Sequence, residues 1–98
     1  MPHRVRFGPE ARADLLDLYD HIADAAGRDL ALAYVERIEH TCVGLADFPY
    51  RGAPRDDIRP GLRVIGIERR TLIAYIADAS DVTILRVLHG GRDVAALE

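Results

Sequence analysis

Two apolar stripes with helical spacing, separated by four residues that begin with a glycine, constrain the fold of this chain more than any other feature. Each stripe repeats every three or four residues, which is the spacing of one face of an α-helix. The first stripe contains Ala11, Leu15, Leu18, Tyr19, Ile22 and Ala26, and the second contains Ala31, Tyr34, Val35, Ile38, Cys42 and Leu45. Gly27 is placed to end the first helix, and Asp29 is placed to cap the second. Because the connection is so short, the sequence predicts two antiparallel neighbouring helices, an αα-hairpin.

The start and the polar face of the first helix also follow from the sequence. Pro9 follows Gly8 at the first helical position, and Glu10 places an acid in the first turn, as is typical of helix starts. Four further acids fall largely outside the apolar stripe: Asp14, Asp17, Asp20 and Asp24. We therefore expect these four carboxylates to be solvated.

The segments on either side of the predicted hairpin have the character of β-strands. The short stretch His3–Phe7 largely alternates between polar and apolar side chains, as a strand does. The segment Phe48–Gly61 is rich in proline and glycine and is predicted to be a loop. Three apolar segments follow the loop and are joined by turns at Arg69-Arg70 and at Asp78-Ala79-Ser80-Asp81: Leu62–Glu68, Thr71–Ala77 and Val82–His89. The predicted fold is α+β: one domain over residues 1–98, in the order β-α-α-β-β-β, with the helical hairpin packed on one face of an antiparallel sheet.

Composition and charge favour a small soluble domain that does not bind nucleic acid. The net charge is −3, and all 13 basic residues are arginines, whereas nucleic-acid-binding domains usually carry a basic surface. The longest apolar run, Leu72–Ala77, is far shorter than the roughly 18 residues of a membrane span. Met1–Phe7 is not followed by the apolar region of a signal peptide. Cys42 has no second cysteine to pair with, which fits the reducing cytoplasm, so we expect a cytoplasmic protein.

Residues that could carry chemistry are few and poorly arranged for it. Ser80, the only serine, falls in a predicted turn, and Cys42 falls on an apolar stripe, where cysteine usually acts as a small hydrophobe. The four histidines do not have the spacing of a zinc site: His3, His21, His40 and His89. We therefore expect no catalytic residue, no metal and no cofactor.

The arginines of the C-terminal half remain as candidate functional residues. Arg55, Arg59 and Arg63 lead from the loop into the first strand of the meander, and Arg86 lies inside an otherwise apolar strand. An unpaired charge within a sheet is costly. Arg86 is therefore expected either to brace the sheet through an ion pair, with Asp93 or a helix carboxylate, or to bind carboxylates or phosphates of a partner.

Five short motifs along the chain resemble one toxin superfamily when they are taken in order. They are Phe7-Gly8-Pro9-Glu10-Ala11-Arg12-Ala13-Asp14-Leu15, Phe48-Pro49-Tyr50-Arg51-Gly52, Asp57-Ile58-Arg59-Pro60-Gly61-Leu62-Arg63, Ile73-Ala74-Tyr75 and Ile84-Leu85-Arg86-Val87-Leu88-His89-Gly90-Gly91-Arg92-Asp93. Each motif alone is weak, but the ordered set spans nearly the whole chain. It is similar to the ParE/RelE superfamily, and to its ParE branch in particular.

The resemblance implies which activity to expect. RelE-like members are ribosome-dependent mRNA endonucleases that use basic residues and often a C-terminal tyrosine or histidine, whereas ParE-like members poison DNA gyrase by binding. Here the last tyrosine is Tyr75, and Leu72 stands where RelE-like enzymes carry an arginine. The ParE-like activity is therefore expected. The RelE-like alternative stays open through His89 and Arg92, and a module without toxicity is a third possibility.

The resemblance also implies partners and sites. The expected partner is a ParD-like antitoxin of the ribbon-helix-helix type, which forms a hetero-oligomer with the toxin and folds onto a groove at the helical hairpin or sheet edge. The candidate target-binding residues are Arg86, His89, Arg92 and Asp93, and the candidate antitoxin-binding residues are Arg59, Arg63 and Tyr75.

Overall fold

The two helices form where the apolar stripes predicted them. In the computed structural model, which describes residues 2–90, α1 spans Pro9–Ala26 and α2 spans Arg28–Gly44. Gly27 separates them with φ 97°, in the left-handed region that favours glycine, and its N–H donates to the carbonyl of Ala23 at 2.9 Å. Asp29 was predicted to cap α2 but lies inside its first turn, because Gly27 already occupies the N-cap position.

The sheet contains the predicted meander, the predicted N-terminal strand and one strand that was not predicted. The strands are β1 (Arg4–Phe7), β2 (Ala53–Pro54), β3 (Leu62–Ile67), β4 (Thr71–Ala77) and β5 (Asp81–His89), in the spatial order β1-β5-β4-β3-β2. β3, β4 and β5 pair antiparallel, as predicted. β1 pairs parallel with β5, so the sheet is mixed rather than wholly antiparallel as predicted. Parallel neighbours need a long crossover connection, and the helical hairpin supplies it.

The strand β2 lies within the segment that was predicted to be loop. It pairs antiparallel with β3 through Ala53 and Pro54. Proline has no N–H to donate to a sheet ladder and is confined to edge positions, so this strand is short and lies at the edge. The α+β class and the packing of the hairpin on the sheet are confirmed.

The hydrophobic core lies between the helices and one face of the sheet. Its fully buried members include Ile38, Cys42 and Leu45 of the α2 region and Ile73 and Ile84 of the sheet. A smaller cluster consists of Ile58, Leu62, Ala74 and Leu88, without any helical residue. Because neighbouring residues of a strand point to opposite faces, Ile73 and Ala74 place the two clusters on opposite sides of the sheet. Within residues 2–90, no helix is long and apolar enough to cross a membrane.

Candidate functional site

Arg86 is held by a carboxylate of α1. Its Nε donates to Asp14 Oδ2 at 2.7 Å, and its Nη2 donates to Asp14 Oδ1 at 3.0 Å. This bidentate arrangement is the strongest geometry for an arginine–carboxylate pair, and it raises the pKa of Arg86 mainly through the hydrogen bonds to Asp14. Of the two interpretations left open by the sequence, the structure contains the ion pair to a helix carboxylate.

Asp14 was predicted to be solvated, and that prediction is wrong. The residue is only 8% exposed, and its Oδ2 also accepts a hydrogen bond from the backbone N–H of Val87 at 2.9 Å. The cause is the unequal length of the strands, because the register of β1 with β5 ends at the pair Phe7↔Ile84. Beyond that pair the β5 backbone lacks a strand on this side, and the Asp14 carboxylate satisfies the exposed N–H instead.

His89 lies at the end of the same strand in a chain of side-chain hydrogen bonds. Its Nδ1 shares a hydrogen bond of 2.9 Å with Thr71 Oγ1, which shares another of 2.7 Å with the hydroxyl of Tyr34. The rings of His89 and His21 are 6.2 Å apart. An open cleft of about 390 Å³ lies beside them, lined by Asp14, Asp17, Leu18, His21, Val87, His89 and Gly90.

The structure describes two of the four predicted target-binding residues. The structure brings Arg86 and His89 to the same end of β5, facing α1, with the headgroup of Arg86 engaged by Asp14. Arg92 and Asp93 lie outside the described residues. Target binding by these positions stays a prediction.

Two of the predicted antitoxin-binding residues meet around Gly52. Arg63 and Tyr75 are cross-strand partners of β3 and β4. Arg63 Nη1 donates to the carbonyls of Gly52 at 2.7 Å and Tyr50 at 3.0 Å, and the N–H of Gly52 donates to the Tyr75 hydroxyl at 2.8 Å. The Tyr75 side chain is fully buried, and burial raises the pKa of its hydroxyl. Both side chains thus fix the loop from within, and in this structure Tyr75 has no surface to offer a partner.

The loop that they hold exposes two aromatic residues. Phe48 is 68% exposed and Tyr50 is 57% exposed, with the Arg63 guanidinium 5.1 Å from the centre of the Tyr50 ring. Arg59, the third predicted residue, is exposed on the following loop. The exposed aromatics were not among the predicted site residues, although both belong to the motif Phe48–Gly52.

A shallow apolar groove on the helical hairpin was also missed as a specific site. It has a volume of about 380 Å³ and is lined by Arg12, Leu15, Leu16, Tyr19, Val35 and Glu39. Leu16 is 68% exposed, and Leu32 of α2 is also exposed. The available signal was the presence of leucines outside both apolar stripes, on faces that are otherwise polar.

The residues that could carry chemistry are built into structural roles. The backbone N–H of Ser80 donates to Asp78 Oδ1 at 2.8 Å in the turn before β5. Among residues 2–90, no group of three or more histidine, cysteine, aspartate or glutamate side chains is arranged to hold a metal ion. Cys42 is fully buried, and burial raises the pKa of its thiol to about 12.

This burial predicts that Cys42 is inert in the native state. With a pKa of about 12, only about one thiol in 100,000 is ionised at pH 7, so alkylation by iodoacetamide should be at least 100-fold slower than in denaturant. Cys42→Ala should cost about 1 kcal/mol of unfolding free energy through lost packing and leave biological activity intact. Rapid labelling of the folded protein, or loss of activity at unchanged stability, would assign the thiol a function.

Comparisons with known proteins agree on one family. The family model for the ParE toxin of the type II toxin–antitoxin system parDE matches residues 5–94. The chain is 32% identical over 94 residues to Toxin ParE1 of Mycobacterium tuberculosis, with 96% of each chain covered. It is 35% identical over 83 residues to Toxin ParE3 of Caulobacter vibrioides, covering 85% of this chain and 82% of that one.

Solved structures of two toxin–antitoxin systems contain chains of the same fold. A chain of the chromosomal ParDE toxin–antitoxin system from P. aeruginosa superposes with a TM-score of 0.78 at 27% identity, covering 89% of this chain and 95% of that one. A chain of the RelBE2 toxin–antitoxin complex from Mycobacterium tuberculosis gives 0.70 at 26% identity, with 92% and 100% covered. Because the family match, the curated relatives and the fold all extend over most of the chain, this protein belongs to the ParE toxin family of type II toxin–antitoxin systems.

Proposed function

We propose that this protein arrests growth in the cytoplasm by binding DNA gyrase, without catalysis of its own, and that a ParD-like antitoxin neutralises it. The observation that carries the proposal is the match to the ParE family over residues 5–94. The non-catalytic part of the proposal is supported by polar groups that are already bonded within the fold. The guanidinium of Arg86 is paired with Asp14, and the hydroxyl of Tyr75 is buried against Gly52.

The proposal predicts the kind of damage that the toxin causes. Expression without an antitoxin should arrest growth with signs of DNA damage, and the purified protein should inhibit supercoiling by gyrase. Co-expression of the antitoxin is the matched control and should restore growth. Prompt loss of protein synthesis, with mRNA cut at codons in the ribosomal A site, would instead identify a RelE-like endonuclease.

For the antitoxin, we propose an amphipathic segment that packs on the apolar groove of the helical hairpin. The groove presents Leu15, Leu16, Tyr19 and Val35, with Arg12 and Glu39 at its margins. An amphipathic helix binds such a surface by laying its apolar face in the groove, while the charged margin fixes its orientation. The two structural neighbours come from a ParDE toxin–antitoxin system and a RelBE2 toxin–antitoxin complex, which supports an antitoxin partner.

This docking site predicts a selective loss of neutralisation. Leu16→Glu places a charge in the groove and should weaken antitoxin binding at least 100-fold, since a desolvated unpaired charge is costly in an interface. Because Leu16 is 68% exposed, growth arrest by the variant should persist. Leu30→Glu is the matched control, as Leu30 is 61% exposed and does not line the groove. Equal antitoxin affinities for the two variants would place the antitoxin elsewhere.

A further inference from the structure

The turn between β3 and β4 adopts a backbone conformation that its residues do not favour. Glu68 has φ 52° and Arg69 has φ 69°, and within residues 2–90 these are the only residues other than glycine with positive φ. Tight hairpin turns with positive φ normally carry asparagine or glycine. Strained residues of this kind persist where the surrounding structure enforces them, and they concentrate at functional sites.

The surrounding structure holds this turn from two sides. Arg37 of α2 donates to Glu68 through Nε to Oε1 at 2.6 Å and through Nη2 to Oε2 at 3.0 Å. The Arg37 guanidinium also lies 5.2 Å from the centre of the Tyr34 ring. On the other side, the carbonyl of Arg70 accepts a hydrogen bond of 3.0 Å from the N–H of Gly90. The turn is therefore tied both to α2 and to the end of β5.

The side chains of the two arginines on this turn make no polar contact within the described residues. Arg69 and Arg70 are exposed, and within the described part of the chain neither side chain makes an ion pair or hydrogen bond. Some other arginines are paired with carboxylates, as Arg37 is with Glu68 and Arg86 is with Asp14. A fixed backbone that presents two unpaired guanidinium groups lowers the ordering cost of binding, because less conformational freedom is lost on contact.

We propose that Arg69 and Arg70 form an arginine tip that binds carboxylates on an acidic surface of the target protein. This inference rests on the proposed function, since it assigns part of the contact with the toxin's target. Planar guanidinium groups recognise carboxylates bidentately. The tip also adjoins the end of β5, where the N–H of Gly90 donates to the carbonyl of Arg70.

Charge favours a protein surface over nucleic acid as the partner of the arginine tip. The chain has a net charge of −3. The side chains of Asp17, Asp20 and Asp24 are exposed along α1. Affinity for DNA grows with the number of phosphates neutralised, and two arginines on an acidic domain neutralise few. A small acidic patch on a protein surface, in contrast, can be bound by two guanidinium groups alone.

The test is charge reversal at the tip. Arg69→Glu/Arg70→Glu should raise the amount of toxin needed for growth arrest, and for half-inhibition of gyrase supercoiling, at least tenfold. The remaining inhibition should depend less on salt, because charges at an interface rim act through screened electrostatics. Arg28→Glu/Arg51→Glu removes two other exposed arginines and should stay within twofold of the wild type. Both variants should keep their Tm and their antitoxin affinity.

A second variant separates binding from folding. Arg69→Gly relaxes the positive φ and removes one guanidinium, so Tm should be unchanged or higher while toxicity falls. Toxicity of the tip variants equal to the wild type, or an equal loss in the Arg28/Arg51 control, would overturn the proposal. Binding of the wild-type protein to duplex DNA that is lost with the tip would assign these arginines to phosphates instead. Failure of the wild type to arrest growth would reject the proposed function and is distinct from all these outcomes.

Discussion

Replacing Asp14 with alanine should lower the free energy of unfolding by about 3 kcal/mol, near the lower end of the range for breaking a buried ion pair. The substitution leaves the Arg86 guanidinium and the N–H of Val87 without their acceptor. The Arg86 side chain is 26% exposed, so water can partly solvate the charge that loses its partner. For a domain of this length, the loss corresponds to a decrease in Tm on the order of 15 °C.

Two matched variants show which contact is responsible. Asp14→Asn keeps an oxygen that can accept from Val87 but loses the charge, so its effect should be intermediate. Asp20→Ala removes an exposed acid of the same helix and should change stability by less than about 0.5 kcal/mol. Urea unfolding of the three variants provides the measurement. A stability of Asp14→Ala within 0.5 kcal/mol of the wild type would mean that the pair does not brace the sheet.

The helices and the meander could be predicted because their signals are local. The apolar residues repeat within each helix, and Gly27 ends α1 at a position where the backbone has a positive φ. The parallel pairing of β1 with β5 had no such signal, since it joins Val5 to Val82 across the whole fold. The pairing of Asp14 with Arg86 spans 72 residues in the same way. The sequence could predict an ion pair for Arg86. It could not identify Asp14 as the partner, because that pairing depends on where β1 ends beside β5.

The candidate site was harder to predict because residue type does not reveal burial. Tyr75 and Arg63 were selected as contact residues, yet their polar atoms are turned inward to hold Gly52. The exposed groups that a partner can reach include Phe48 and Leu16, whose apolar character resembles that of core residues in the sequence. Only the tertiary structure shows which apolar side chains lack an internal neighbour.

The contact between Gly52 and Tyr75 gives the second large expected effect. A Cβ atom at position 52 would lie 2.7 Å from the Tyr75 hydroxyl, 2.9 Å from its Cε1 and 2.9 Å from the carbonyl oxygen of Val64. Buried tyrosine and strand backbone cannot move away easily in a closely packed interior. Gly52→Ala should therefore destabilise the protein by about 2–3 kcal/mol through overpacking. The loop that presents Phe48 and Tyr50 should shift with it.

A control variant and a double variant make this prediction specific. Gly44→Ala meets no atom within 4 Å near the end of α2, and alanine is the better helix former, so its stability should be unchanged or higher. Tyr75→Phe alone should cost about 1 kcal/mol by removing the hydrogen bond from Gly52. In the double variant Gly52→Ala/Tyr75→Phe the collision with the hydroxyl is gone, while those with the ring and Val64 remain. Its destabilisation should therefore be less than the sum of the single effects, and an additive result would show that the tyrosine hydroxyl is not what position 52 must avoid.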